Sequence, residues 1–325
     1  MTPSAKWDLN SYTNAIFLAP MEGVVDHVVR ELWTAAGGID VCTTEFIRVS
    51  GTLLPDHVFY KYAPELKNNG RTLNGTPVFI QLLGSDPLLL SENALKAVEL
   101  GAFGIDLNFG CPAKRVNQHD GGANLLKTPD RIHTIVSRLR NDIPQSKPLT
   151  VKVRLGFDNK DYVTDIADAV CDGGADALIV HARTKEEGYR PPAHWHYIAK
   201  MKEQVNIPVV ANGEIWNKED YALCRQHSEC EHVMVGRGLI ANSGLALQLK
   251  TQGPEKTWLS LLQHTQTFMD KSQELYGDAF AVRRVKQLTR MMAPRRQQAQ
   301  ELFDRVKILK SPLDIRTEIQ KELDK

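Results

Sequence analysis

Between Ala15 and about residue 250 the chain repeats one unit: a short β-branched apolar run, a loop rich in Gly, Pro or Asn, then a stretch of helical periodicity. Strands that alternate with helices must run parallel, because the helix carries the chain back to the starting edge. Eight candidate strands follow: Ala15–Ala19, Val41–Glu45, Val78–Leu82, Gly104–Asn108, Leu149–Arg154, Ala177–His181, Val209–Asn212 and Val233–Gly236. Eight parallel strands in roughly 235 residues is the size of a (β/α)₈ TIM barrel. A doubly wound sheet would normally use fewer strands and open its first βα turn with GxGxxG. No such fingerprint follows Ala15–Ala19.

Polar and reactive residues stand where each apolar run ends: Pro20-Met21-Glu22-Gly23, Gln81, Asn108, Lys152, Arg154, His181, Asn212-Gly213-Glu214 and Gly236-Arg237. In a barrel these ends meet at one rim, the face on which barrel enzymes build their chemistry. The convergence points to an enzyme.

Past about residue 253 the pattern becomes continuous helical periodicity punctuated by Gly277, Pro294 and Pro312, which predicts a bundle of about four helices. The expected organisation is a disordered extension over 1–14, a catalytic barrel over 15–250 and a helical domain over 251–325. Charge divides along the same line. Residues 1–250 hold 26 Lys and Arg against 29 Asp and Glu, whereas residues 251–325 hold 14 against 10. From Ala279 to Gln300 there are six basic residues (Arg283, Arg284, Lys286, Arg290, Arg295, Arg296) and no acidic one. A solvated helix face normally alternates its charges, so this stretch reads as a surface for nucleic-acid phosphates.

No apolar run approaches the roughly 18 residues of a membrane span. Met1 to Asn14 is polar and shows neither a secretory signal nor an anchor. The five cysteines, Cys42, Cys111, Cys171, Cys224 and Cys230, form no CxxC pair, so neither a structural metal nor a disulfide framework is expected, and a reducing cytoplasm fits.

The most specific stretch is Asn108-Phe109-Gly110-Cys111-Pro112-Ala113-Lys114, with Val116 just beyond and Gly121-Gly122-Ala123-Asn124-Leu125-Leu126 closing it. It resembles the signature of the tRNA-dihydrouridine synthase family. Further blocks follow in that family's order: Ala19-Pro20-Met21-Glu22-Gly23-Val24, Thr44-Glu45-Phe46, Val151-Lys152-Val153-Arg154-Leu155-Gly156, His181-Ala182-Arg183-Thr184, Ala211-Asn212-Gly213-Glu214-Ile215 and Val235-Gly236-Arg237-Gly238. The likeness runs from Ile16 to about Leu309. The stretches Arg183 to Arg190 and Asn212 to Trp216 look most like the bacterial C subfamily, whose substrate is uridine 16 of the tRNA D-loop.

The resemblance implies an enzyme that holds FMN, takes hydride from NADPH, passes it to C6 of a uracil ring in tRNA and protonates C5 with a cysteine. Cys111 is the expected proton donor: a thiol with an ordinary pKa of about 8.5 is mostly protonated at neutral pH yet able to release its proton. A free cysteine is more often a small buried hydrophobe, the reading given to Cys42, Cys171, Cys224 and Cys230. Arg237 and the glycines at the last two strand ends suit a phosphate, and Lys152 suits the anionic edge of a reduced flavin. By resemblance, Pro20, Met21, Glu22, Gln81, Asn212, Gly213, Glu214, Gly236 and Arg237 hold the flavin, with His181 at the phosphate end. By the same route Arg48, Asn108, Tyr189, Arg284, Lys286 and Lys307 face tRNA, whose target base must leave its stack to be reached.

The helical region departs from the family pattern at Leu288, where an aromatic is expected, at Met291, and at Lys307, which stands in place of Arg. Two other functions compete. A small-molecule pyrimidine enzyme resembling dihydroorotate dehydrogenase would need no basic tail, and a non-catalytic RNA-binding barrel would need neither Cys111 nor Lys152. No protein partner, metal or membrane is implied.

Overall fold

The computed structural model describes residues 7–113 and 121–325, so Lys114 and Val116 of the signature lie outside the described residues. Its sheet is built from β1 (Ile16–Leu18), β2 (Val41–Thr43), β3 (Ile47–Arg48), β4 (Val78–Leu83), β5 (Gly104–Asn108), β6 (Leu149–Arg154), β7 (Ala177–His181), β8 (Val209–Asn212) and β9 (His232–Val235). All pairings among these strands are parallel. The sheet closes because β1 pairs with β9, Phe17 opposite Met234, and also with β2, which in turn pairs with β4. The result is the expected TIM barrel, with helices between successive strands once β2 and β3 are taken as one.

The expected strand Val41–Glu45 is interrupted. It stops at Thr43 and resumes as β3, and both pieces pair with β4, Cys42 opposite Val78 and Ile47 opposite Leu82. Between them Thr44 accepts the Gln81 backbone N–H on its hydroxyl at 3.0 Å, and Glu45 turns to accept the Gly23 backbone N–H. Side chains thus replace part of the ladder, and the bulge re-aims the chain toward the rim.

Period-2 alternation sorts the strands into two layers. Ile16 and Leu18 face the helices, while Phe17, Val41, Phe79, Ile179, Val210 and Met234 fill the barrel interior. Residues 7–14, expected to be disordered, join that inner layer. Asp8 caps a short 3₁₀ turn at Leu9–Ser11, Leu9 is only 1% exposed, and Trp7 packs edge-on against Phe79 with ring centroids 5.2 Å apart. An open barrel end exposes apolar interior side chains, and covering them with Trp7 and Leu9 stabilises the segment by several kcal/mol at about 1.5–3 kcal/mol per buried large side chain. Their apolar character at alternate positions was the signal in the sequence.

Beyond the barrel lie helices Trp258–Tyr276, Asp278–Met292, Gln297–Val306 and Pro312–Leu323. Thr257 caps the first through the Ser260 N–H, and Ser311 caps the last through that of Leu313. Gly277, at φ +80°, makes the sharp turn between the first two. The first helix docks on His27–Ala35, where buried Trp33 meets Phe268 edge-on at 6.0 Å and donates its indole N–H to the Leu239 carbonyl.

Candidate active site at the rim of the barrel

A cavity of about 500 Å³ opens at the C-terminal ends of the strands. Every residue expected to hold a flavin lines it: Pro20, Met21, Glu22, Gln81, Lys152, His181, Asn212, Gly213, Glu214, Gly236 and Arg237. Cys111, Asn108 and Tyr189 line it too. Cys111 follows β5 and Arg237 follows β9, half-way round the closed ring from one another, so the cavity spans the barrel's diameter.

On the β5 side, Gly110 and Pro112 flank Cys111, which is 8% exposed and packs with Leu83 and Phe46. Burial pushes its thiol above the ordinary range and the nearby Glu22 carboxylate adds to this, while the Ala113 backbone N–H, Arg154 and Arg48 oppose it. The thiol therefore stays protonated at neutral pH. Arg154 braces the loop by donating Nε–H to the Gly110 carbonyl at 2.8 Å.

On the other side, Lys152 donates to Asn212 Oδ1 at 3.2 Å, and Asn212 donates to the Met234 carbonyl at 2.8 Å, which fixes its amide. Burial, reinforced by Arg154, lowers the Lys152 ammonium to about 8, so it still carries its charge at neutral pH. His181 is held well below its ordinary value by burial and by the surrounding cations, so its ring is neutral. Its Nδ1 lies 3.1 Å from Arg154 Nη1, which can only donate, so the ring proton sits on Nε2. Gly213, at φ +122°, brings the backbone to where an added Cβ would lie 3.5 Å from that Nε2. A side chain on Gly236 would meet Ala19 and Met21 Sδ at 3.4 Å. The glycines keep backbone close to the cavity without blocking it.

Glu214 is paired with buried Arg183, lies 3.6 Å from Arg237 and accepts the Trp216 indole N–H at 2.9 Å. It neutralises one cation while Arg237 remains beside the cavity, stacked near the Tyr189 ring at 5.2 Å and the Trp216 ring at 5.0 Å. Tyr189 is 54% exposed at the mouth. The donor set, an arginine, a neutral imidazole N–H and glycine backbone opposite a protonated thiol, fits a ligand with an anionic tail and a flat ring. Among the described residues no group of three or more His, Cys, Asp or Glu could hold a metal.

The expected RNA-facing residues divide. Arg48 ends β3 near the rim. Lys307 is exposed and pairs with Asp304, and Lys286 donates to the Leu309 carbonyl inside the helical region. Arg284 does not face solvent. It is 5% exposed, donates to the carbonyls of Gly23 and Val24 and pairs with Asp26 at 2.9 Å. The helix Asp278–Met292 is amphipathic, and position 284 falls on its buried face with Ala281, Val285 and Leu288, so its charge is used between barrel and helices. Arg283, Arg290 and Arg295 are exposed instead, and Arg295 lies 4.4 Å over the Trp216 ring.

Sequence reasoning did not assign Phe46, Arg154, Ile215, Trp216 or Met291 to the site, although all line the cavity. The strand-end rule marks Arg154. Met291 comes from a different element and carries no local signal.

The family model described as "Dihydrouridine synthase (Dus)" matches residues 17–319. The chain is 54% identical over 258 residues to the tRNA-dihydrouridine(16) synthase of Pseudomonas syringae pv. tomato, covering 78% of this chain and 81% of that protein. It is 42% identical over 308 residues to the protein of the same name from Haemophilus influenzae, covering 94% and 99%. Among solved structures, histamine dehydrogenase from Rhizobium sp. 4-9 superposes with a TM-score of 0.58 at 14% identity, over 79% of this chain and 49% of that one. A variant of NCR from Zymomonas mobilis superposes with a TM-score of 0.52 at 15% identity, over 75% and 88%. These two likenesses bear on the fold alone.

Proposed function

The chain belongs to the dihydrouridine synthase family, and from that premise we propose that it reduces a uridine of tRNA, at position 16, to 5,6-dihydrouridine, with FMN as cofactor and NADPH as electron donor. The observation that carries this reading is the protonated Cys111 thiol facing, across one cavity, a cation and donor set suited to a flavin phosphate.

Arg237, the His181 Nε2–H and the backbone at Gly213 and Gly236 would hold the phosphate. Lys152, with its charge retained at neutral pH, would sit by the electron-rich edge of the ring. When bound, the flavin supplies the hydride that reaches C6 of the uracil. Cys111 donates its Sγ proton to C5, so the ring gains two hydrogens and the thiolate is reprotonated from solvent. Burial serves this role by keeping the thiol loaded with its proton. Pro20 to Glu22 and Gln81 would wall the cofactor, and Tyr189 at the mouth, with Arg48 near the rim, would meet the extruded nucleotide. Exposed Arg283, Arg290 and Arg295, together with Lys307, offer charge to the RNA backbone.

The names of the relatives support position 16. A small-molecule reductase would not require the exposed cations of the helical region. The test is incubation of the purified chain with NADPH and unmodified tRNA, followed by fragmentation mass spectrometry. A gain of two hydrogens at one D-loop uridine supports the proposal. A yellow protein inert on every tRNA moves the reading to a small-molecule substrate, and a protein that binds no FMN moves it to RNA binding without catalysis.

A further inference from the structure

Below Lys152 the barrel interior contains a carboxylate that the reaction does not use. Asp106, in the middle of β5, is fully buried. Register sets it between Gln81 of β4 and Thr150 of β6. Its Oδ1 accepts the Thr150 hydroxyl at 2.6 Å, and its Oδ2 accepts Gln81 Nε2–H at 2.7 Å. Two residues on along β5, Asn108 donates Nδ2–H to Gln81 Oε1 at 2.8 Å. The Gly110 backbone N–H then donates to Asn108 Oδ1 at 3.0 Å, one residue before Cys111.

This chain has a direction. A carboxylate accepts only and a backbone N–H donates only, so the two ends leave one arrangement for the amides between them. Turning Gln81 would face its oxygen to the Asp106 carboxylate, and turning Asn108 would face its NH₂ to the Gly110 N–H. Each is a lost hydrogen bond and a repulsive contact in a dry interior, where unmatched polar groups are costly. Each amide also keeps one N–H that the chain does not use, and both side chains line the cavity. With Lys152 beside them, the cavity floor is a row of donors.

We propose that Asp106 is a positioning residue that locks the Gln81 and Asn108 amides with their N–H groups toward the ligand, so that the floor selects a flat ring with an acceptor edge of carbonyls and unprotonated nitrogens. The proposal rests on the reading of this cavity as a flavin site. The same chain ties the floor to the loop of Cys111, so the amide setting and the thiol's position are coupled through Gly110.

The test uses the full chain carrying Asp106→Leu, which removes the acceptor at similar size, and Asp106→Asn, which keeps one acceptor but can turn. FMN affinity is measured by fluorescence titration, the bound flavin by its absorption spectrum, and folding by the thermal midpoint of the apo form. The expected result is an FMN Kd raised about tenfold or more in the Leu variant and by a smaller factor in the Asn variant, with the visible bands displaced; the Leu variant stays folded with a lowered apo midpoint, because the Gln81 amide and the Thr150 hydroxyl lose their acceptor. A wild-type affinity and spectrum in a folded Leu variant overturns the lock while leaving the flavin reading in place. If the Leu variant does not fold, the Asn variant decides by the same two readouts. A wild-type chain that takes up no FMN overturns the flavin reading, and the lock falls with it.

Discussion

Arg284, in the helical region, donates its guanidinium to the carbonyl of Gly23 at 2.7 Å, two residues from Met21 in the cavity wall. The Gly23 N–H is meanwhile held by the Glu45 carboxylate. The first rim loop is therefore gripped from the barrel on one side and from the helices on the other. Asp26, which caps the helix His27–Ala35 through the Val29 N–H at 3.0 Å, completes the contact as the partner of Arg284.

Arg284→Ala leaves Asp26 without its partner and two carbonyls unmatched, and is expected to destabilise the chain by about 3 kcal/mol, on the order seen when one member of a buried pair is removed. Urea unfolding checks it. Because Arg284 does not reach solvent, the slope of log Kd for tRNA against log salt should stay at its wild-type value.

Arg295→Ala is the contrasting case. Arg295 is exposed, forms no ion pair among the described residues and is steadied on the Trp216 ring. Its loss should weaken tRNA binding and reduce the salt slope by about 1, the effect of one phosphate contact, with protein stability unchanged. An unchanged slope would exclude it as a phosphate contact.

Cys111→Ala should still bind FMN and oxidise NADPH, yet form dihydrouridine at least about 10²-fold more slowly, the range of a lost general acid. Mass spectrometry of the tRNA reads the product directly. With the wild-type chain, the raised thiol pKa places the alkaline fall in turnover above the ordinary thiol range, since the donor works only below its pKa. A pH profile that already falls below pH 8 would contradict the assignment.

Asp106 gives stability a pH dependence of known sign. Burial raises its carboxyl to about 6 from an unfolded value near 4. The folded state therefore binds the proton more tightly, and this contribution is full below about pH 4 and lost as pH rises through about 6. The change is on the order of 3 kcal/mol from a shift of about two units. Urea unfolding of the apo chain at pH 4, 5, 6 and 7 should show the decline, and Asp106→Asn should lack that part of it.

Gly213→Ala places a side chain at φ +122°, close to His181 Nε2. A cost of roughly 1–3 kcal/mol for a non-glycine residue in that region should appear as a lowered melting midpoint, together with weaker FMN binding. A variant with both unchanged would remove Gly213 from the phosphate end.

What the sequence determined by itself was everything with a short period or a local motif. Alternation of apolar runs with helical stretches specified the barrel, because period-2 and period-3.6 burial are properties of neighbouring residues. The strand-end rule gathers Gln81, Asn108, Lys152, His181, Asn212 and Arg237 at one rim, since the ends of parallel strands must share a face, and the motif after Asn108 adds Cys111. Tertiary structure decided what depends on contacts between distant segments. Basic residues of one stretch look alike in sequence, but Arg284 falls on the face of its helix that meets Gly23 and Asp26, while Arg295 falls on the side toward Trp216 and solvent. Met291 reaches the cavity only because the helices pack over the rim. Trp7 and Leu9 are ordered because the barrel end offers them an apolar surface. The direction of the Gln81 and Asn108 amides is set by Asp106 and Gly110, partners whose hydrogen bonds appear only when β4, β5 and β6 lie side by side.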